Sequence, residues 1–203
     1  MWLYIIQGIG YGFAAAVQPG PFQTYLISQT LTKGWKRTLP GTLAPLISDG
    51  PIIGFCLLIL SQVPLWLQRF LYIAGGLFVL YLAYGAYESW KHFDPDIPST
   101  ETGIQQSVFK AALINMLNPN PYFYWTLVTG PILLAGWRET PINGLGFLAG
   151  FYVTMILSLG TTIIVFGSAR QLGPGVNRAL LGISAFALFC SGLIQLWKGM
   201  MRS

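Results

Sequence analysis

The sequence predicts an all-α integral membrane protein with six transmembrane helices, arranged as two inverted three-helix repeats. Among 203 residues there are 11 Lys or Arg and 6 Asp or Glu, so 8% of the chain is charged, against roughly 25% in an ordinary soluble domain. Hydrophobic residues make up 54% of the chain and the mean hydropathy is +0.59. A soluble protein of this size could not cover its surface with so few charges, which excludes that class.

Six apolar runs are each long enough to cross a bilayer, which takes about 20 residues of helix. The runs are continuous rather than alternating, which favours helices over a barrel. The connectors between them are short, so any functional site has to lie inside the helical bundle. The predicted spans cover residues 3–28, 39–60, 66–90, 108–135, 141–168 and 177–198.

The two halves of the chain resemble each other. Pro19 and Pro21 recur 100 residues later as Pro119 and Pro121. Further matched pairs follow at slowly growing offsets: Gly34-Trp35 with Gly136-Trp137, and Gly75, Gly85, Trp90 and Lys91 with Gly182, Gly192, Trp197 and Lys198. We expect one membrane domain made of a first repeat (1–92), a polar linker (93–107) and a second repeat (108–203). Because each repeat crosses the membrane three times, the second is inverted relative to the first, an arrangement typical of secondary transporters.

The loop cations predict the orientation, since cytoplasmic loops carry more Lys and Arg. One side would hold Lys33, Lys36, Arg37, Lys91, Lys110, Arg170 and Arg178, and the other Arg69, Arg138, Lys198 and Arg202. This count of seven against four places both termini outside. The scattered cations are explained by topology, so we expect no nucleic-acid partner.

Few residues in the chain are suited to catalysis or metal binding. Cys56 and Cys190 lie singly in separate apolar runs, which is typical of core packing. The one histidine, His92, lies beside the linker. We therefore expect neither an enzyme, a metal site nor a cofactor.

Two proline motifs interrupt predicted spans at matching positions. Gln18-Pro19-Gly20-Pro21 lies within the first span and Asn118-Pro119-Asn120-Pro121 within the fourth. Proline removes a backbone donor and clashes with the preceding turn, so both helices have to break or kink there. Interrupted helices at matching positions of two repeats are the best sequence pointer to a transporter's binding site. The alternative is a pair of structural kinks without a ligand.

Asp49 lies about ten residues into the second span, whereas the other acidic residues lie in loops or at span ends. A carboxylate at this depth costs at least about 2.5–3.5 kcal/mol on insertion scales. It is a candidate for binding a substrate ammonium group, a proton or a metal ion. The alternative is a structural hydrogen bond to a neighbouring helix.

Small residues repeat every four positions along two spans, which favours close helix packing. The first ladder is Gly8, Gly12, Ala16 and Gly20, and the second is Gly146 and Gly150.

These motifs together resemble the LysE/RhtB family of amino-acid exporters. The resemblance rests on Gln18-Pro-Gly-Pro21, the turn Gly34-Trp-Lys-Arg37, Asp49 and the break at Asn118-Pro119, and it spans nearly the whole chain. It implies proton-driven export of amino acids or related small metabolites across the bacterial inner membrane. Family members often follow Asn-Pro with Lys, where this chain has Asn120, and the glycine spacing before the intramembrane Asp is altered here by Pro45 and Ser48. The missing cation disfavours a strongly anionic substrate.

The motifs suggest a site for a zwitterion. Half-helices beginning after Pro19 and Pro119 would direct amides at a carboxylate, and Asp49 would face the ammonium group or carry the coupled proton. Neutral hydrogen bonds would come from Gln18, Asn118 and Asn120, and an aromatic wall from Trp125. The expected partners are this substrate, protons and lipid, and a homodimer remains open. Two alternatives are an inorganic cation exporter on the same scaffold and a non-transporting membrane assembly protein.

Overall fold

The computed structural model describes residues 1–59, 65–93, 104–169 and 173–201, and every regular element in these ranges is helical. The α-helices are α1 (Trp2–Val17), α2 (Pro21–Lys33), α3 (Trp35–Thr38), α4 (Ala44–Ile59), α5 (Leu65–Lys91), α6 (Ile104–Leu117), α7 (Pro119–Tyr124), α8 (Gly130–Glu139), α9 (Pro141–Ala169) and α10 (Pro174–Met201). A 3₁₀ turn at Leu39–Leu43 precedes α4, and a π-helical turn at Trp125–Thr129 joins α7 to α8. The composition prediction of an all-α membrane protein is confirmed.

Three helices of the described chain are long and apolar enough to cross a membrane unaided: Leu65–Lys91, Pro141–Ser168 and Pro174–Met201. Trp2–Val17 and Val108–Leu117 are apolar but shorter. These two shorter helices lie next to the proline motifs, because each break divides a predicted span into two pieces. An unbroken crossing needs about 20 residues, and α1 has 16.

Several boundaries differ from the predicted spans. The helix of the first predicted span continues past residue 28 to Lys33, where Gly34 ends it with φ 86° and donates its N–H to Thr30 O. The second begins as a 3₁₀ turn rather than an α-helix, since Pro40 and Pro45 remove backbone donors from its first turns. At the other end of the linker, α6 begins at Ile104, earlier than predicted. Linker residues 94–103 and the loop cations Arg170 and Arg202 lie outside the described residues.

Two extensive helix pairs form the bundle. α1 packs along α9, and α5 packs along α10. Between them lies the core, where α4 packs on α6 and on the segment from α7 to the π-turn. Its largest fully buried side chains include Trp125, Phe147 and Phe151.

The glycine ladders explain the close packing of α1 on α9. A Cβ at Gly8 or Gly12 would run into the carbonyls of Phe147 and Phe151, and one at Gly150 into that of Ile5. Gly20 is an exception to the predicted ladder, because no atom lies within 4 Å of the place its Cβ would take. The reason is that α1 ends before Gly20, so the four-residue spacing no longer keeps it on the packed face.

Candidate functional site

The first proline motif separates α1 from α2 by three residues, of which Gln18 and Gly20 are extended. Gln18 has φ −64° and ψ 117°, and Gly20 has φ −172° and ψ 178°. α2 then begins with Pro21, whose missing N–H costs nothing at a first helical position. The next two amides, of Phe22 and Gln23, have no acceptor within the helix, as at any helix start. The break therefore leaves backbone donors within the first predicted span.

The second motif separates α6 from α7 by the single extended residue Asn118, with φ −82° and ψ 124°. Asn118 Oδ1 accepts a hydrogen bond from the Asn120 N–H at 3.1 Å and so caps α7. The Tyr122 hydroxyl donates to Met116 O at 2.9 Å, which bridges the break. Since Pro119 and Pro121 carry no N–H, the first turn of α7 has few amides left to offer. The prediction that this half-helix would direct amides at a carboxylate is therefore not supported by its geometry.

Asp49 lies on α4 with 4% of its surface exposed, and three helices supply its contacts. The side-chain amide of Asn115 on α6 donates to Asp49 Oδ1 at 2.6 Å and to Ser48 Oγ at 2.8 Å. The hydroxyl of Tyr152 on α9 donates to Asp49 Oδ2 at 3.2 Å. Trp125 also interacts with this carboxyl group. Both carboxyl oxygens thus have a donor from a different helix, which offsets part of the cost of burying the group.

The two breaks and Asp49 border one cavity of about 90 Å³. Of the ten residues predicted for the site, eight line it, and the other two, Pro21 and Pro119, are buried but do not line it. The eight are Gln18, Pro19, Gly20, Asp49, Asn118, Asn120, Pro121 and Trp125. This site cavity has room for about three water molecules, each of which takes roughly 30 Å³.

The site cavity changes from exposed to buried along its depth. Gln18, Pro19 and Asn120 are exposed, whereas Asp49 and Trp125 are buried. A polar molecule entering at the breaks therefore meets neutral hydrogen-bonding groups first and the carboxylate last.

Aromatic rings close the inner end of the site cavity. The Trp125 ring lies 5.2 Å from that of Phe151 and 6.5 Å from that of Tyr152, nearly parallel to the latter at 27°. Trp125 begins the π-turn, in which the Gly130 N–H donates to Trp125 O. Pro131, without an N–H, cannot continue the regular ladder at this point. Single π-turns inside helices are frequently found at functional sites.

A protein-family model matches most of this chain. The LysE type translocator model matches residues 13–194, which is most of the chain. The protein belongs to the LysE type translocator family. No curated protein and no solved structure matched the chain.

Membership in the LysE family makes this chain a multi-pass membrane protein that transports small molecules out of the cell. It is consistent with the expectation that the protein is not an enzyme. Among the described residues, no group of three or more His, Cys, Asp or Glu is placed to hold a metal ion.

Sequence reasoning missed two residues of this translocator's site, Asn115 and Tyr152. The sequence does hold a signal for Asn115, since it is a polar residue in an apolar span, three positions before Asn118. Tyr152 lies in the stretch that corresponds to Asp49 in the second half of the chain, which lacks an acid. The structure shows that this stretch instead supplies a donor to Asp49.

Proposed function

We propose that this protein is a secondary transporter that exports zwitterionic amino acids or closely related small metabolites, with proton coupling, from the bacterial cytoplasm. The observation that carries this proposal is that both helix breaks and Asp49 line a single cavity. A structural kink explains one break, but not two breaks that meet beside a buried acid.

The site cavity supplies both signs of charge that an amino acid needs. The free amides of Phe22 and Gln23, at the positive end of α2, suit a carboxylate. Asp49 suits the ammonium group. Gln18 and Asn120, exposed at the opening, would supply neutral hydrogen bonds during entry.

Asp49 is also suited to carry the coupled proton. Its partners are the neutral groups of Asn115 and Tyr152 rather than a cation. Neutral partners accommodate both the charged and the protonated form of Asp49, because the Tyr152 hydroxyl can rotate from donor to acceptor when the carboxyl group takes a proton. Substrate and proton would then compete for the Asp49 carboxylate, which is the simplest way to exchange one for the other across the membrane.

The packing of the helices supports the inverted-repeat architecture. If the repeats are 1–92 and 108–203, joined by the linker 93–107, then α1 corresponds to α6, α4 to α9, and α5 to α10. A two-fold relation between the repeats requires that α1 on α9 be matched by α6 on α4, and that α5 pack on α10. All three contacts are present. The loop cations favour termini on the outside of the inner membrane.

The volume of the site cavity limits what it holds in this conformation. About 90 Å³ accommodates a few non-hydrogen atoms, so a larger substrate requires the half-helices to move apart. The breaks provide hinges for that movement, since Gln18, Gly20 and Asn118 have extended rather than helical backbone angles.

The cation-exporter alternative fits the geometry less well. Asp49 is the one carboxylate among the residues lining the site cavity, and Asn115 and Tyr152 direct N–H and O–H groups at it. A bare metal ion would face these donors, and the site offers no His or soft ligand for a transition metal.

The test is transport of labelled amino acids in proteoliposomes, with and without an imposed pH gradient. We expect gradient-dependent movement of one or a few amino acids. Asp49→Asn should abolish the response to the gradient, while Glu139→Gln, the same change at a carboxylate outside the site cavity, should leave it intact. Folded protein that moves no amino acid, or an Asp49→Asn variant with an unchanged pH response, would refute the proposal.

A further inference from the structure

A second cavity, of about 230 Å³, adjoins Trp125, as the site cavity does. Its walls come from α4, through Cys56, and from the helical segment that runs from the π-turn into α8. Trp125 lines both cavities. We call this second space the vestibule.

One face of the α8 segment lines the vestibule along its length. Thr126, Gly130, Leu134 and Arg138 recur every four residues on this face. The 13 residue steps from Trp125 to Arg138 span about 20 Å at 1.5 Å each, so the vestibule extends well away from the site cavity. The space exists because Gly130 and the nearby Ala135 carry too little side chain to fill it.

The Arg138 end of the vestibule, which we call its outer end, lies close to the start of α1. Glu139, at the end of α8, accepts a hydrogen bond from the hydroxyl of Tyr4 on α1 at 2.7 Å and another from the Asn143 amide at 3.0 Å. These contacts hold Glu139 towards α1 and α9. Arg138, one residue earlier, lines the vestibule, so the charged group at this end of the vestibule is a positive one.

Trp125 forms the barrier between the two cavities. Its side chain is 2% exposed and is held between Phe151, Tyr152 and the Asp49 carboxyl group. A molecule bound at Asp49 is therefore separated from the vestibule by a single indole ring. The π-turn gives this residue a local backbone irregularity about which to move.

We propose that the vestibule is a second, water-filled substrate compartment, in which Arg138 binds the carboxylate of the transported molecule and Trp125 separates it from the site cavity. This inference rests on the proposed export function for the identity of the ligand. The positive charge at the outer end and the neutral hydroxyl of Thr126 at the inner end form a path for a zwitterion. A carboxylate at Arg138 would gain a charge-assisted hydrogen bond.

Thiol labelling tests whether the vestibule holds water, independently of transport. The background protein carries Cys56→Ser and Cys190→Ala, so that no native cysteine remains. One cysteine is then introduced at either of two positions. Ala135 lines the vestibule, and Leu127 lies on the same segment outside it and is 62% exposed. A charged, membrane-impermeant methanethiosulfonate should label Ala135→Cys but not Leu127→Cys. A lipophilic maleimide should label both.

Labelling of both positions by the charged reagent, or of neither, would overturn the proposal, since the vestibule would then be open surface or filled with lipid. Gly20→Cys tests the barrier, because its side chain enters the site cavity without a clash. Reagent added at the N-terminal face should reach Ala135→Cys and not Gly20→Cys, and Trp125→Ala should remove this difference. Equal labelling of the two positions with Trp125 in place would refute the barrier.

Transport kinetics test the role of Arg138. Arg138→Gln should raise KM about tenfold, because one charge-assisted hydrogen bond to the substrate is lost, and kcat should change little. Arg138→Lys should recover most of the affinity. An unchanged KM in Arg138→Gln would refute carboxylate binding there. If no amino acid is transported but the labelling pattern holds, the export proposal fails while the water-filled vestibule stands.

Discussion

Replacing Gly12 by alanine should separate α1 from α9 and destabilise the protein. The added Cβ would lie 2.9 Å from both the Cα and the carbonyl carbon of Phe151, and nearer still to its oxygen. Carbon atoms pack best at about 3.5–4.0 Å, so the helices have to move apart by about 1 Å, and the obstacle is backbone that no rotamer change can relieve. Overpacking of this kind costs about 1–3 kcal/mol, or on the order of 2–12 °C in Tm for a chain of this size.

Gly10→Ala is the matched control, on the same helix two residues away. No atom lies within 4 Å of a Cβ at Gly10, and alanine is the better helix former by about 1 kcal/mol. The assay is thermal unfolding of purified protein in detergent, followed by amino-acid transport in proteoliposomes. Gly10→Ala should be as stable as the parent or more so, while Gly12→Ala loses stability and, since Phe151 and Tyr152 move with α9, transport rate. Equal melting temperatures for the two variants would refute the close packing of α1 on α9.

Three further substitutions test the site. Asn118→Ala should lower the free energy of unfolding by about 1 kcal/mol, because it removes the N-cap of α7. Asn118→Asp keeps a side-chain acceptor and should recover most of that stability in thermal unfolding. Equal losses of stability in the two variants would exclude the capping role. Asn115→Leu leaves Asp49 Oδ1 and Ser48 without their donor and should cost about 1–3 kcal/mol, whereas a variant as stable as the parent would show that this hydrogen bond contributes nothing. Tyr152→Phe keeps the ring against Trp125 but removes the hydroxyl that donates to Asp49 Oδ2, so we expect a loss of about 1–3 kcal/mol in stability and a shifted pH profile of transport. An unshifted profile would exclude Tyr152 from the coupling.

The local consequences of proline were predictable from the sequence. A ring that fixes φ and lacks an N–H acts on its own turn of helix whatever lies nearby, so the interruptions at Pro19-Gly20-Pro21 and at Asn118-Pro119 follow without knowledge of the fold. The ends of the helices were less predictable. Lys33 extends α2 beyond the predicted span because Gly34, rather than a change in hydropathy, ends the helix.

The partners of Asp49 show where sequence reasoning stops. Asn115 and Tyr152 are 66 and 103 residues away in the chain, and nothing in their own neighbourhoods indicates a contact with α4. Gly20 is the converse case. Its spacing from Ala16 predicts a packing residue, yet the break before it turns it into the site cavity.

By itself the sequence determined the membrane class, the helical content, the two interrupted crossings and the buried acid, since composition, apolar run length and proline act locally. The tertiary structure decided that both interruptions and the acid share one cavity, that Asn115 and Tyr152 hold the carboxylate, and that Trp125 lies between two cavities. These features depend on how distant helices pack, which glycines at Gly8, Gly12 and Gly150 allow but do not specify. A small residue permits close approach by any helix, and only the assembled bundle determines which helix packs against it.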